Sequence, residues 1–127
     1  MKRVKKTHLL SMIERSKKIA ARFFESAAGR KPVREWLLEL SGEDRRSIGY
    51  DIQTVEFGWS VGMPVCRPLG AGLWEVRCSL SGNRIARVIF CMKDGEMILL
   101  HGFIKKTQKT SQDDIALAAN RKKEIGA

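Results

Sequence analysis

The second half of the chain alternates apolar and polar residues, and this pattern limits the possible folds more than any other feature. From 74 to 80 every second residue is apolar, whereas Glu75, Arg77 and Ser79 occupy the positions between them. The apolar positions are Trp74, Val76, Cys78 and Leu80. Successive side chains of a β-strand point to opposite faces of its sheet, so the alternation predicts a strand with one buried face.

Residues typical of tight turns separate this strand from two further ones. Ser81-Gly82-Asn83 predicts a turn before a strand over 84–92, and Asp94-Gly95 is a hairpin signal before a strand over 97–104. A shorter apolar run over 65–69 precedes them. These segments predict a three- or four-stranded antiparallel meander.

The first half of the chain predicts one strand and two helices. An apolar run over 19–24 indicates the strand, and Pro32 suits the first turn of a helix. The apolar positions of this helix, spaced i, i+3, i+4 and i+7, are Val33, Trp36, Leu37 and Leu40. Acidic Glu43 and Asp44 open a second helix, which we expect to end at Gly58. We expect this helix to bury Ile48, Ile52 and Val55 and to expose Arg45, Arg46, Asp51 and Glu56.

A third helix is predicted at the end of the chain. Ser111 can cap it, and Asp113 and Asp114 fill its first turn, where acidic side chains complement the helix dipole. At the other end, residues 1–16 carry many basic side chains and only a weak apolar stripe. The predicted organisation is therefore a basic N-terminal extension over 1–16 and a single α+β domain over 17–127.

The net charge narrows the classes of partner. The 127 residues include 24 Lys and Arg against 14 Asp and Glu, a formal net charge of +10. Such an excess favours a polyanionic partner: RNA, DNA, an acidic protein or a membrane surface. No run approaches the ~18 consecutive apolar residues of a membrane span, and the N-terminus lacks the apolar core of a signal peptide. We therefore expect a cytoplasmic protein without a membrane partner.

The sequence lacks the motifs of several enzyme classes. Cys66, Cys78 and Cys91 form no C-x-x-C pair and lie in or beside apolar runs, which indicates buried core residues in a reducing compartment. There is no H-E-x-x-H, no glycine-rich P-loop and no G-x-S-x-G. The carboxylates of the meander are too few and too scattered for a two-metal nuclease. We expect no metal and no other cofactor.

Cationic side chains are concentrated in the meander and just after it. They are Arg67, Arg77, Arg84, Arg87, His101, Lys105, Lys106 and Lys109. Arg77 is the most informative, because a charge in mid-strand is costly unless it faces solvent or an anion. Alternatively, it forms an ion pair across the sheet with Glu75, Asp94 or Glu96. Two further alternatives stay open: His101 as a hydrogen-bonded strand-end histidine, and the lysines as an ordinary solvated run.

Cleavage of RNA without a metal requires three groups. A base takes the proton of the ribose 2′-hydroxyl, a cation stabilises the charged phosphorane, and an acid protonates the departing 5′-oxygen. Arginine suits the second role, because its planar guanidinium binds phosphate through two N–H groups. His101 or a lysine could supply the base, and Phe103 could stack on a splayed nucleobase. From these patterns alone, the chain is a basic α+β domain that binds RNA or DNA.

Three segments together resemble a known family. Leu73-Trp74-Glu75-Val76-Arg77, then the strand over 84–90, then Leu100-His101-Gly102-Phe103-Ile104-Lys105-Lys106-Thr107 are similar to the HigB branch of the RelE/ParE toxin superfamily. This branch includes phage-derived host-inhibition proteins. The resemblance runs from about Ile19 to Glu124, and Ser111 stands where the branch usually has the proline of a Lys-Thr-Pro segment. Either residue starts a helix well.

The resemblance implies a fold, an activity and partners. The fold is RelE-like, with an antiparallel meander packed against an N-terminal pair of helices and a short C-terminal helix. The activity is that of a type II toxin: a ribosome-dependent endoribonuclease that leaves a 2′,3′-cyclic phosphate. The partners are the ribosome with its mRNA and a helix-turn-helix antitoxin encoded by an adjacent gene, with a toxin–antitoxin heterotetramer as the expected complex.

The resemblance also implies site residues. The catalytic candidates are Arg77, Arg87, His101 and Lys105, and the RNA-binding candidates are Arg67, Arg84, Phe103, Lys106 and Lys109. One departure concerns a tyrosine that RelE has near its C-terminus, because the single tyrosine here, Tyr50, lies in the predicted second helix. Two alternatives remain: ParE toxins share the fold but poison DNA gyrase by binding, and a basic DNA-binding module would have no toxicity. Several arginines on one sheet face favour the nuclease.

Overall fold

The computed structural model describes residues 17–59, 66–105 and 109–127, with the backbone alone for Lys105. Within these ranges the chain forms a five-stranded sheet and three α-helices. In chain order the elements are β1 (Ala20–Phe23), α1 (Pro32–Glu39), α2 (Gly42–Gly58), β2 (Cys66–Gly70), β3 (Leu73–Ser79), β4 (Ile85–Lys93), β5 (Glu96–Lys105) and α3 (Gln112–Glu124). The α+β class is therefore confirmed. The predicted N-terminal extension over 1–16 lies outside the described residues.

The sheet has the strand order β1-β5-β4-β3-β2. The four strands of the meander pair antiparallel, as predicted. The antiparallel arrangement does not extend to the whole sheet, however, because β1 joins it beside β5 in parallel orientation, with Ala20 opposite Glu96. The helices α1 and α2 and the rest of the meander separate these two strands along the chain, so no hairpin turn sets their relative direction. The sheet is mixed.

Each face of the sheet carries its own apolar core. One face packs against α1 and α2, and its buried residues include Ile48, Ile52, Val55, Val76, Cys78, Val88, Phe90 and Leu99. The other face packs against α3, and its buried residues include Leu73, Ile89, Cys91, Ile98, Leu100 and Ala118. Full burial of one such side chain contributes about 1.5–3 kcal/mol. The alternation in β3 therefore separates two cores, because α3 covers the face opposite the helical pair.

The cysteines behave as the sequence predicts. Cys78 and Cys91 are buried, Cys66 is partly buried, and all three are free thiols. Burial raises the pKa of the Cys66 thiol to about 11, with the carboxylate of Glu75 adding to the effect. Burial also raises the pKa values of Cys78 and Cys91. The thiolate is the reactive form, so these cysteines act as core residues.

Helix α1 begins at Pro32 and lies close to β5 through Trp36. A Cβ atom built on Gly102 of β5 would overlap the ring of Trp36, so only glycine fits there. We expect Gly102→Ala to destabilise the fold by about 1–3 kcal/mol through overpacking. Gly49→Ala is the matched control, since a Cβ at this α2 position meets nothing within 4 Å. The control should be neutral or stabilising by up to about 1 kcal/mol. Urea unfolding of both variants tests this, and equal stabilities would contradict it.

Helix α2 is fixed at its N-terminus by a cap and an ion pair. The Ser41 hydroxyl accepts a hydrogen bond from the amide of Asp44 at 3.1 Å. Arg84, just before β4, binds both carboxylate oxygens of Asp44, at 2.7 and 2.9 Å. Hydrogen bonding to Arg84 lowers the pKa of Asp44, an effect that burial partly opposes.

This lowered pKa makes part of the stability depend on pH. The pair stabilises the fold above the ordinary Asp pKa of about 3.9, and the contribution is lost as the pH falls through the lower folded-state value. We therefore expect Asp44→Asn, and equally Arg84→Ala, to show a shallower loss of unfolding free energy than the wild type below about pH 4. Denaturant titrations at several acidic pH values measure the slopes. Identical slopes for all three proteins would refute this role of the pair.

One polar prediction for α2 is wrong. Glu56 was expected outside, but it is buried against the start of β1. Its carboxylate accepts a hydrogen bond from the amide of Ala21 at 2.8 Å and lies 3.2 Å from the Lys17 ammonium. Its backbone carbonyl accepts from the amides of Lys18 and Ile19. Burial is tolerated because the charge is both paired and hydrogen-bonded.

Helix α3 begins as predicted, with the Ser111 hydroxyl accepting from the amide of Asp114. Near its end, Arg121 donates to the carbonyl of Leu100 at 2.8 Å and lies over the ring of Phe24. These contacts, together with Ala118 in the core, hold the helix against the sheet. Among the described helices, none has the length and apolar character needed to cross a membrane.

Candidate functional site

Strand register places most of the predicted site residues in two neighbouring rows on the face of the sheet that α3 covers. The first row crosses the sheet from β2 to β5 as Arg67, Glu75, Ile89 and His101. The second row crosses from β3 to β5 as Arg77, Arg87 and Phe103. Arginines from three adjacent strands therefore lie close together, and we call Arg67, Arg77 and Arg87 the arginine cluster.

Arg77 is the exposed member of the arginine cluster. It lies near the end of β3, directly opposite Arg87 of β4. In residues 17–59, 66–105 and 109–127, its side chain has no ion pair or hydrogen bond. The alternative pairing of Arg77 with Glu75 is not observed, because Glu75 is bound by the other two arginines of the cluster. An exposed guanidinium beside a second arginine is suited to bind an anion.

Arg87 is the buried member of the cluster. Its side chain is only 1% exposed, and its Nη1 donates to Glu75 Oε1 at 2.6 Å. The same nitrogen lies 3.3 Å from the hydroxyl of Thr110, which in turn donates to the other oxygen of Glu75. A buried charge is tolerated when it is paired and hydrogen-bonded in this way. Direct contact between Arg87 and a phosphate would require this ion pair to open.

Arg67 connects the buried Glu75 with solvent. Its Nε donates to Glu75 Oε1 at 3.1 Å, while its side chain is 54% exposed. Glu75 itself is fully buried, so the carboxylate is enclosed by two arginines and one hydroxyl. Glu75 thus neutralises part of the cluster and fixes the guanidinium of Arg67 at the surface.

His101 belongs to a second set of polar contacts, between β5 and the start of α3. Its Nε2 lies 2.8 Å from Asp114 Oδ1. The Ser111 hydroxyl donates to Asp114 Oδ2 at 2.6 Å. The imidazole also stacks on the ring of Phe103, with centroids 5.2 Å apart and an angle of 28° between the planes. His101 is therefore held by a carboxylate at one edge and by an aromatic ring on one face.

Comparison with known proteins identifies the family. The family model described as Phage derived protein Gp49-like (DUF891) matches residues 35–123. The chain belongs to this family. The match covers well over half of the chain and contains the whole arginine cluster, His101 and Asp114. The family is phage-derived and often toxin-like. No curated protein matches the chain.

The remaining predicted residues of this Gp49-like protein are dispersed. Arg84 is paired with Asp44 at the start of α2, and so it does not join the arginine cluster. Phe103 is buried under α3, where its stacking partner is His101, so its ring is not open to a nucleobase in this structure. Lys109 is exposed. The side chain of Lys105 and all of Lys106 lie outside the described residues.

Sequence reasoning missed three residues of the site. Glu75 was considered only as a partner for Arg77 or a metal ligand, although its alternation with Arg77 already put both on one face. Thr110 entered only as the threonine of the segment that resembles Lys-Thr-Pro, and no contact with Glu75 or Arg87 was assigned to it. Asp114 was assigned to the helix dipole, and its spacing from His101 gave no sign of a contact across 13 positions.

The described residues contain no group of three or more His, Cys, Asp or Glu side chains placed to share a metal ion. The site consists instead of cations, one buried carboxylate and the His101–Asp114 pair. Such an arrangement can bind a phosphodiester through arginine and can move a proton through the imidazole.

Proposed function

We propose that this Gp49-like protein is the toxin of a type II toxin–antitoxin system and acts as a ribosome-dependent endoribonuclease on mRNA. The observation that carries the proposal is the exposed guanidinium of Arg77, placed beside two further arginines and on the same sheet face as His101. A protein that only needs to bind another protein has no requirement for converging cations. A phosphoryl-transfer site does, because negative charge builds up on the phosphorane.

The proposed reaction needs no metal. His101 takes the proton of the ribose 2′-hydroxyl, and the 2′-oxygen attacks the adjacent phosphorus. Arg77 binds the phosphate oxygens as charge develops on them, with Arg67 as a second contact to the RNA backbone. Lys109 and the lysines over 105–106 would extend the cationic path for the RNA strand. The product upstream of the cut carries a 2′,3′-cyclic phosphate.

The fold is consistent with membership of the RelE superfamily and its HigB branch. Support comes from the antiparallel meander, the pair of helices on one face of the sheet and the short helix on the other. The match to the Gp49-like family, which is toxin-like, also supports a relationship to this superfamily.

The experiment is induction of the full chain in cells, followed by mapping of mRNA 5′ ends on ribosomes. We expect new ends within translated regions soon after induction. Chromosome breaks with intact mRNA would instead support a gyrase poison of the ParE type. Normal growth with neither lesion would contradict both toxin mechanisms and favour a nucleic-acid-binding module.

Metal independence is tested separately on the purified protein with programmed ribosomes. Chelating the free divalent ions outright would dissociate the ribosome, so the wild type is first dialysed against EDTA and then added to ribosomes in a standard magnesium buffer. We expect the rate of cleavage to be unchanged by this pretreatment. Loss of activity that returns only with added zinc or manganese would overturn the proposed mechanism.

The proposed antitoxin is a helix-turn-helix protein encoded by an adjacent gene, forming a heterotetramer with the toxin. A net charge of +10 supports fast association with an acidic partner, at a rate that falls as salt rises. Co-expression of the neighbouring gene should restore growth. Absence of both binding and rescue would remove the antitoxin from the proposal while leaving the nuclease to be tested on its own.

A further inference from the structure

We infer that Asp114 is a positioning residue that fixes His101 as the Nε2–H tautomer and leaves Nδ1 as the ring nitrogen that accepts the 2′-hydroxyl proton. The expected effect of Asp114 on the cleavage rate rests on the proposed nuclease function. The tautomer of His101 can be tested without any activity.

The tautomer follows from the chemistry of the contact. The Nε2 of His101 lies 2.8 Å from Asp114 Oδ1, and an ionised carboxylate can only accept hydrogen bonds. Nε2 must therefore carry the hydrogen in the neutral imidazole, and Nδ1 must be the nitrogen with the free lone pair. A histidine held in this way has one defined basic atom instead of two interchangeable ones.

The carboxylate itself is held in place. Asp114 Oδ2 accepts from the Ser111 hydroxyl at 2.6 Å, and the oxygen of that hydroxyl accepts from the Asp114 amide at 3.2 Å. The same serine thus caps α3 and orients the carboxylate toward β5. Both oxygens of Asp114 have a donor, so rotation of the carboxylate would break at least one hydrogen bond.

The plane of the imidazole is restricted as well. Phe103 stacks on the ring, and Ile89 of β4 is the cross-strand neighbour of His101. The side chain of His101 is 15% exposed, so it is mostly enclosed without being sealed from solvent. Hydrogen bonding at one edge and packing on one face together define the direction of Nδ1.

The proton balance of the proposed step is simple. The 2′-hydroxyl gives its proton to Nδ1, the bond from the 2′-oxygen to phosphorus forms, and the bond from phosphorus to the 5′-oxygen breaks. His101 becomes an imidazolium whose Nε2–H still donates to Asp114, which stabilises the new positive charge. Water protonates the 5′-oxygen, and the imidazolium then returns its proton to solvent.

The first test is nitrogen NMR of the full chain, read at a pH where the imidazole is neutral. The chain has two histidines, so comparison with His8→Gln assigns the remaining signals to His101. We expect the Nε2–H tautomer to dominate for His101. We expect Asp114→Asn to mix the tautomers, because an amide can either donate to Nε2 or accept from it. A dominant Nδ1–H tautomer in the wild type would overturn the inference.

The second test is single-turnover cleavage by Asp114→Asn. We expect the rate to fall on the order of 10²–10⁴-fold, the usual contribution of a general base, while substrate affinity changes little. Asp113→Asn is the matched control, since it removes the same charge from the same helical turn at an exposed position. Cleavage by Asp114→Asn at the wild-type rate would refute the positioning role. A wild type that has the expected tautomer but does not cleave RNA would refute the nuclease and leave the tautomer assignment standing.

Discussion

Arg77→Ala should abolish toxicity while leaving the fold intact. The guanidinium is exposed and unpaired in the part of the chain that the structure describes, so its loss should change the free energy of unfolding by less than about 0.5 kcal/mol. Removal of a side chain that stabilises developing charge typically lowers the rate on the order of 10²–10³-fold. The measurements are growth after induction, the rate of mRNA cleavage on ribosomes and an unfolding curve for the same variant.

Two further variants separate charge from geometry. Arg77→Lys keeps the positive charge but loses the planar pair of N–H donors, and we expect it to recover only a small part of the activity. Arg34→Ala removes one positive charge from the exposed side of α1, which packs on the other face of the sheet, and it should retain full toxicity. If Arg77→Ala unfolds the protein, or if Arg34→Ala is equally inactive, Arg77 is not a specific ligand of the transition state.

Arg87→Ala should cause the largest loss of stability, about 3–5 kcal/mol. The substitution leaves the fully buried carboxylate of Glu75 with the Thr110 hydroxyl and the peripheral Arg67 as its remaining partners. Glu75→Ala should also destabilise the fold, because it removes the carboxylate that neutralises the buried guanidinium of Arg87. Urea unfolding at neutral pH measures both variants.

A double-mutant cycle identifies the origin of the loss. Arg87→Met and Glu75→Leu are made singly and together, and the double variant, which removes both charges, should be clearly more stable than the sum of these two single changes predicts. Arg22→Ala is the control for an ordinary ion pair, since Arg22 and Glu96 are well exposed and 3.7 Å apart. This control should cost at most about 1 kcal/mol. Additive losses in the cycle would show that Arg87 and Glu75 stabilise the fold independently of each other.

The sequence was informative wherever a local pattern determined the structure. Alternation in β3 correctly separated Arg77 from Val76 and Cys78, because a strand has a period of two whatever it packs against. The hairpin at Asp94-Gly95 and the cap at Ser111 were predictable for the same reason, since both depend on a few adjacent residues. The arginine cluster could be anticipated as a set of cations on one sheet face.

The remaining features depend on contacts between residues far apart in the chain. The parallel pairing of β1 with β5 has no local signal, because neither strand's sequence records its neighbour. Alternation assigned Arg77 and Arg87 to the same face but could not show that one is exposed and the other is enclosed with Thr110. That difference arises only when Thr110, just before α3, packs against Arg87 near the start of β4.

The buried position of Glu56 has a consequence for self-association. Its carboxylate accepts a hydrogen bond from the amide of Ala21 in β1, a strand at the edge of the sheet. This amide is therefore not available to hydrogen-bond with an incoming strand. At the opposite border of the sheet, Pro68 in β2 has no amide hydrogen to offer, and the pairing is irregular between Pro68 and Gly70. Unpaired borders are the usual template for intermolecular β-pairing and fibril growth. Obstructions at both borders therefore protect this small basic protein from polymerising through its sheet.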